Sequence, residues 1–149
     1  PPSTHTMATL APQQELASEI ATLEQLTRTH RQVHRRALYF QRLDAARRAV
    51  RAAAAACAPA RRSADAAARA EAAVRAVDVA LRRIPPAWSQ LRRLLAQTYF
   101  MNYALVHLTL LSRLATLLST RRAELAAVAA GAGRSVTAPP LPRPFLDTS

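Results

Sequence analysis

The side chains that are best suited to bind a ligand lie in one run of the chain, from residue 28 to residue 42. Six of the nine residues from Arg28 to Arg36 are arginine or histidine. Between residues 27 and 64 the only carboxylate is that of Asp44. Uncompensated like charges four residues apart destabilise a helix, so a ligand of opposite charge would relieve this repulsion. A guanidinium group can both hydrogen-bond to phosphate and stack on bases. We therefore predict that this run contacts a polyanion, with nucleic acid as the first candidate.

Other kinds of chemistry find little support in the sequence. His30 and His34 have the i, i+4 spacing that places two imidazoles on one helical face, but no cysteine or carboxylate accompanies them at ligand spacing. Cys57 lies in an alanine run without a histidine nearby, as is typical of a small structural residue. There is no glycine-rich phosphate loop, no Gly-x-Ser-x-Gly motif and no clustered acidic pair. We predict a protein that is not an enzyme and that uses no metal and no cofactor.

The overall charge favours the same class of partner. The 149 residues include 21 basic side chains, all of them arginine, and 9 acidic ones, which gives a formal net charge of +12. A GC-rich genome favours alanine and arginine codons, but such codons also supply acidic residues, so codon usage leaves the net charge unexplained. A pI near 11.7 on a small domain favours nucleic acid first and an anionic membrane second.

The elements that must position the basic run are helices. Two glycines and 5% aromatic residues are too few for a β fold, while 50% apolar residues are too many for a disordered chain. Apolar residues at three/four spacing predict a first helix over about 12–57, which ends before Pro59. A second helix is predicted over about 63–84 and a third over about 86–130, separated at Pro85 and Pro86.

We expect a single all-α domain, an elongated antiparallel three-helix bundle. The expected divisions are a flexible N-terminal segment (1–11), a helical RNA-binding domain (12–130) and a Pro-rich extended tail (131–149). The third helix has no formal charge between Arg93 and Arg113, and we expect it to be the buried centre of the fold and not a membrane span. The predicted core residues are Leu16, Leu23, Val33, Phe40, Val74, Val77, Leu81, Leu94, Leu95, Phe100, Leu105, Leu108, Leu111 and Leu118.

Two segments of the chain resemble a known family of small helical proteins. His34-Arg35-Arg36 followed by Tyr39-Phe40 is similar to that family's basic helix. Ile84-Pro85, which leads into the apolar stretch from Leu91 to Leu118, is similar to its closing helix. The family comprises the RNase MRP-specific protein subunit of fungi and the related nucleolus and neural progenitor protein. The resemblance covers about residues 15–120, with the segments in the same order.

The chain departs from this family at two places. Gln32-Val33 stands where the family tends to have Asn-Gln, and the alanine-rich middle at 52–80 has no counterpart. The resemblance implies a non-catalytic RNA-binding subunit of a ribonucleoprotein that cleaves precursor ribosomal RNA in the nucleolus, where catalysis belongs to the RNA. By position, it implies an RNA-facing group of Gln32, His34, Arg35, Arg36 and Tyr39.

Together, the charge pattern and the resemblance give one predicted RNA-binding set. It consists of Arg28, Arg31, Gln32, His34, Arg35, Arg36, Tyr39, Arg42, Arg47 and Arg48. The expected partners are structured RNA and other protein subunits of the same particle, without a membrane, and the expected location is the nucleolus of the nucleus. One alternative is a structural protein of a mitochondrial ribosome or other organellar particle. Another is a coiled-coil adaptor whose arginine face meets an acidic protein.

Overall fold

The computed structural model describes residues 4–58 and 66–134, with side chains described for 13–58 and 66–131. This part of the chain is helical and contains no strand, which confirms the predicted all-α class. It has four helices, so the predicted number of three is wrong. They are α1 (Thr4–His34), α2 (Leu38–Ala56), α3 (Ala66–Ala96) and α4 (Met101–Arg134).

The four helices form an antiparallel bundle in which each helix packs on the next and α4 returns to α1. Ion pairs between distant residues mark this arrangement: Arg113 of α4 reaches Glu15 of α1, and Arg122 of α4 reaches Asp78 of α3. The α1–α2 turn (35–37) and the α3–α4 turn (97–100) lie at the same end of the bundle. We call this end the turn end.

The predicted first helix is divided in two at the α1–α2 turn, although no proline or glycine lies there. Ala37 has an extended backbone (φ −76, ψ 139), and its N–H donates to the carbonyl of His34 in a tight turn. The buried side of α1 continues through Thr27 to His34, whereas the buried side of α2 starts at Phe40. Phe40 lies six positions after His34, so in one continuous helix of 3.6 residues per turn the two side chains would point in different directions. A single straight helix would therefore leave one of the two segments without a core.

The predicted break at Pro85 and Pro86 is absent, because both prolines lie inside α3. Each proline removes one intrahelical N–H donor, at a cost of roughly 3 kcal/mol. Both side chains are exposed, so water can reach this side of the helix. The opposite side is held by Ile84, Ala87 and Leu91, which are buried. Packing of this side outweighs the local preference of proline.

The helix ends also differ from the sequence-based boundaries. α1 begins at Thr4 and not at Pro12, so residues 4–11 are helical. α4 continues through Gly131 to Arg134, where we had expected glycine to end it. The predicted turn around Pro59 and the predicted extended conformation of 135–149 lie outside the described residues.

The core is a set of buried positions at alternating three- and four-residue spacing, the pattern of left-handed helix packing. On α3 these positions are Ala70, Ala73, Val77, Ala80, Ile84, Ala87, Leu91 and Leu94. Alanine on α3 faces a similar alanine-rich side of α2, where Ala46 and Ala53 are fully buried. Small side chains let these two helices approach closely, whereas α1 packs more loosely against its neighbours.

Half of the predicted core is buried: Leu16, Leu23, Phe40, Val77, Leu94, Leu111 and Leu118. Val74, Leu81, Leu95 and Leu108 are half-buried. Three predictions are wrong, since Val33, Phe100 and Leu105 are 75%, 55% and 47% exposed. Val33 lies beside the buried face of α1, Phe100 lies in a turn, and α4 buries Ala104 and His107 in place of Leu105.

One helix of the described residues, over Met101–Gly131, is long and apolar enough to cross a membrane. In its most apolar window 39% of the residues are buried inside the bundle. The central helix of a soluble bundle has the same length and composition, so this property is weak evidence for a span.

Candidate nucleic-acid interface

The α1–α2 turn carries two exposed arginines of the basic run. The N–H of Arg35 donates to the carbonyl of Arg31 at 3.0 Å, which closes the last turn of α1. The N–H of Gln41 donates to the carbonyl of Ala37 at 3.1 Å, which opens α2. Arg35 and Arg36 lie between these two bonds, and both side chains are exposed.

Five exposed arginines around this turn have no carboxylate within 4.0 Å in the part of the chain that the structure describes. We call them the arginine surface: Arg28, Arg31, Arg35, Arg36 and Arg42. All five belong to the predicted RNA-binding set, and so does Gln32, which is also exposed. Helices α1 and α2 thus present cations that the described residues do not neutralise.

Two other members of the predicted set, Arg47 and Arg48, have partners inside the protein. Arg47 pairs with Asp44 at 2.9 Å and with Glu24 of α1 at 3.5 Å, and its side chain is only 18% exposed. Arg48 pairs with the other oxygen of Asp44 at 2.8 Å. The sequence pattern predicts that these charges lack partners, but Asp44 pairs with both and Glu24 approaches Arg47 from the neighbouring helix.

A groove of about 130 Å³ runs between α1 and α2 beside these ion pairs. Its charged lining consists of Glu24, Arg28, Arg31, Asp44, Arg47 and Arg51. Arg28 and Arg31 therefore extend the basic character of the turn along the side of the bundle. The carboxylates of Glu24 and Asp44 offset part of the positive charge in this groove.

His34 and Tyr39 also belong to the predicted set, but they lie in the interior and not on the basic face. His34 is 6% exposed, and its Nδ1 is hydrogen-bonded to the hydroxyl of the half-buried Tyr39. The His34 ring also packs edge-on against Phe100, with 5.0 Å between ring centroids. Burial, together with the neighbouring ring of His30, lowers the pKa of His34 below its usual value. Both residues connect α1 to its neighbours.

The interior of the turn end is a cluster of aromatic and histidine rings. Tyr103 of α4 packs against His30 at 5.1 Å, His34 at 4.9 Å and Tyr39 at 5.8 Å between ring centroids. His107 is 1% exposed, and its Nδ1–H donates to the carbonyl of Tyr103 at 2.7 Å. Burial lowers the pKa of His107, although the bond to that carbonyl opposes the shift.

This cluster contains two buried polar atoms without a hydrogen-bond partner among the described residues. They are the hydroxyl oxygen of Tyr103 and Nε2 of His107. Unpartnered buried polar groups cost roughly 1–3 kcal/mol each. Among the described residues no group of three or more histidine, cysteine or acidic side chains has a geometry that could hold a metal ion.

The α3–α4 turn adds exposed aromatic rings that sequence reasoning did not assign to the site. Tyr99 is 68% exposed, and Phe100 is exposed beside His34. Thr98 and Phe100 have positive φ angles of 59° and 52°, which cost non-glycine residues roughly 1–2 kcal/mol each. The sequence alone does not predict this turn, because residues 97–100 contain neither glycine nor proline.

The outer face of α3 brings a further ring and two more arginines to the same end. The guanidinium of Arg92 lies over the ring of Trp88, 5.0 Å from its centroid. Together with Arg93 and Ala96, these residues line a shallow groove that leads to the α3–α4 turn. The basic pair Arg92-Arg93 was visible in the sequence, but its position next to exposed rings depends on the fold.

No protein-family model, no curated protein and no solved structure matches this chain.

Proposed function

We propose that this protein is a non-catalytic RNA-binding subunit of a ribonucleoprotein, and that it binds RNA through the arginine surface. The observation that carries the proposal is the group of five exposed arginines around the α1–α2 turn, which have no carboxylate partner among the described residues. Phosphates of an RNA backbone would supply the missing negative charge.

Several arginines elsewhere in the bundle are already paired, and five that are unpaired among the described residues are grouped around the α1–α2 turn. Arg47, Arg113 and Arg121 are each engaged by carboxylates of the protein. These three arginines are engaged within the bundle, whereas the arginine surface, like the exposed pairs Arg82-Arg83 and Arg92-Arg93 of α3, has no carboxylate within 4.0 Å among the described residues. Arginine also suits RNA because its planar group forks onto phosphate and stacks on bases.

Charge removal at the turn tests the proposal. The full chain with Arg35→Ala and Arg36→Ala should bind a structured RNA about tenfold more weakly than the unmodified chain in a filter-binding assay. For four to six phosphate contacts, log K should fall with log salt with a slope of roughly −3 to −5, and the double variant should flatten it by roughly 1.5.

The adjacent pair Arg82 and Arg83 provides a matched control. Both are exposed on α3, about 20 Å from the turn end along the helix, and their replacement removes the same charge. Arg82→Ala with Arg83→Ala should leave RNA affinity within about twofold. Equal losses in the two double variants would mean that net charge alone drives binding, and unchanged affinity in the Arg35/Arg36 variant would refute the proposal.

The resemblance described above supports a more specific form of the proposal, a subunit of an RNase MRP-like particle that processes precursor ribosomal RNA in the nucleolus. The organellar alternative shares the RNA contact but differs in location. Fractionation of cells that express the tagged chain separates the two. Recovery with nucleolar RNA supports the first, and co-sedimentation with mitochondrial ribosomes supports the second.

A further inference from the structure

We infer that the turn end binds unpaired RNA bases, which stack on Tyr99 and Phe100 while the neighbouring arginines hold the backbone. This inference rests on the proposed function and specifies its ligand as single-stranded or loop RNA. The arginine surface alone does not distinguish single-stranded from duplex RNA, because phosphates are equally available on a duplex. It comes from the aromatic side chains that lie next to the arginines.

The distribution of exposed aromatic residues is the first argument. Among the described residues, Trp88, Tyr99 and Phe100 are the aromatic side chains with large exposed fractions, and all three lie towards the turn end. Phe40 and Tyr103 are buried instead. An exposed ring buries little apolar area when the chain folds. Three such rings at one end therefore indicate a surface that is covered in a complex.

The second argument is the position of cations beside these rings. Phe100 packs on the ring of His34, and Arg35 and Arg36 follow His34 directly in the chain. Arg92 lies over Trp88 on the side of the turn formed by α3. Proteins that bind single strands combine stacking rings with a positively charged path for the backbone. The α1–α2 turn and the end of α3 both supply such charge at the turn end.

The third argument is the conformation of the α3–α4 turn. Thr98 and Phe100 both have left-handed backbone conformations, which are rare for a β-branched and a bulky residue. The turn thereby presents Tyr99 and Phe100 outward at a local cost that a glycine would avoid. Such strain is concentrated at ligand-binding sites.

A comparison of single-stranded and duplex RNA tests this inference on the full chain. The probes are a single strand of about 12 nucleotides and the duplex that it forms with its complement. Trp88 is the only tryptophan, so its fluorescence reports on contacts at the turn end. We expect the single strand to bind about tenfold more tightly than the duplex, with stronger quenching of the Trp88 emission.

Tyr99→Ala isolates the stacking contribution. Its side chain is mostly exposed, so the variant should fold normally, as circular dichroism and thermal unfolding would verify. It should bind the single strand about tenfold more weakly and the duplex within about twofold of the original affinity. Tyr99→Phe should retain binding, and Val128→Ala, an exposed position towards the other end of α4, should change nothing.

The outcomes separate this inference from the proposed function. If Arg35→Ala with Arg36→Ala weakens binding but Tyr99→Ala leaves the preference for the single strand intact, RNA binding stands and base stacking is refuted. If Tyr99→Ala affects neither RNA but abolishes a nuclease-resistant association with another protein, the rings form a protein interface and the inference is overturned. If the arginine variant has no effect on either RNA, both proposals fail.

Discussion

Arg42 and Arg47 lie five residues apart on the same helix, yet the structure gives them different roles. Arg42 is exposed and has no carboxylate partner among the described residues. Arg47 is largely buried between Asp44 and Glu24. Removal of one partner from a buried ion pair leaves the other charge poorly solvated. A basic residue in the predicted RNA-binding set can therefore act on stability or on the ligand, depending on its neighbours.

Arg47→Ala should lower the free energy of unfolding by roughly 1–3 kcal/mol, because Asp44 and Glu24 lose a partly buried cation. Arg42→Ala removes the same group from an exposed position of the same helix and should change the free energy of unfolding by less than about 0.5 kcal/mol. Urea unfolding of the two variants measures the difference.

We expect the opposite order for RNA affinity, with the larger loss in Arg42→Ala. Measured under conditions where both variants are folded, Arg42→Ala should weaken binding and flatten the salt dependence by roughly one contact, whereas Arg47→Ala should not. Equal stabilities for the two variants would contradict the assignment of Arg47 to an internal ion pair.

At the level of the helices, the rotation of α4 about its axis decides which apolar residues form the core. The sequence of α4 is apolar on several sides, so its pattern alone places Leu105, Leu111 and Leu118 in the core together. In the bundle, Leu111 and Leu118 are fully buried while Leu105 faces outward. The buried side is fixed by α1 and α3, which pack against α4 from two directions.

Leu114→Ala should destabilise the protein by about 3 kcal/mol, because it opens a cavity in a fully buried position of α4. Leu105→Ala makes the same chemical change at a position that is 47% exposed and should cost less than about 0.5 kcal/mol. Thermal unfolding monitored by circular dichroism measures both changes. Similar losses would show that α4 is rotated differently from the arrangement described above.

Across the whole molecule, the ring cluster at the turn end ties three helices together. His30 and His34 come from α1, Tyr39 comes from α2, and Tyr103 and His107 come from α4. The pKa values of His34 and His107 are lowered from the ordinary 6.5, mainly because burial disfavours the charged ring. The cluster therefore holds both histidines in their neutral form.

This cluster predicts that the protein loses stability in mild acid. A histidine whose pKa is lower in the folded state than in the unfolded state is neutral in both states well above pH 6.5, so there it does not reduce the free energy of unfolding. As the pH falls from 6.5 towards the lowered pKa values, the unfolded chain binds protons first and the folded state becomes less favourable. Unfolding midpoints measured in steps between about pH 7.5 and pH 5 should decrease with decreasing pH.

His107→Leu should make this pH dependence shallower, since a fully buried histidine can no longer take up a proton on unfolding. At pH 7.5 the variant loses the bond from Nδ1–H to the Tyr103 carbonyl but also removes the unpartnered Nε2, so the free energy of unfolding should change by less than about 1.5 kcal/mol. Thr109→Ala, an exposed change on the same helix, is the control and should leave the slope unchanged. A slope that His107→Leu does not alter would place the pH response elsewhere.

The sequence by itself determined the all-helical class, about half of the core and the location of the exposed arginines. Charge and periodicity are local properties, so Arg28, Arg35 and Arg42 could be identified as an uncompensated group without knowledge of the fold.

Tertiary structure decided where the helices end and what lies beside the arginines. The turn at 35–37 and the continuous helix through Pro85 both result from packing of buried faces, which outweighs local propensity. The contact of Glu24 with Arg47, and the position of Phe100 beside His34, join residues far apart in the chain. Such contacts exist only once four helices fold back on each other, because side chains interact through space and not along the sequence.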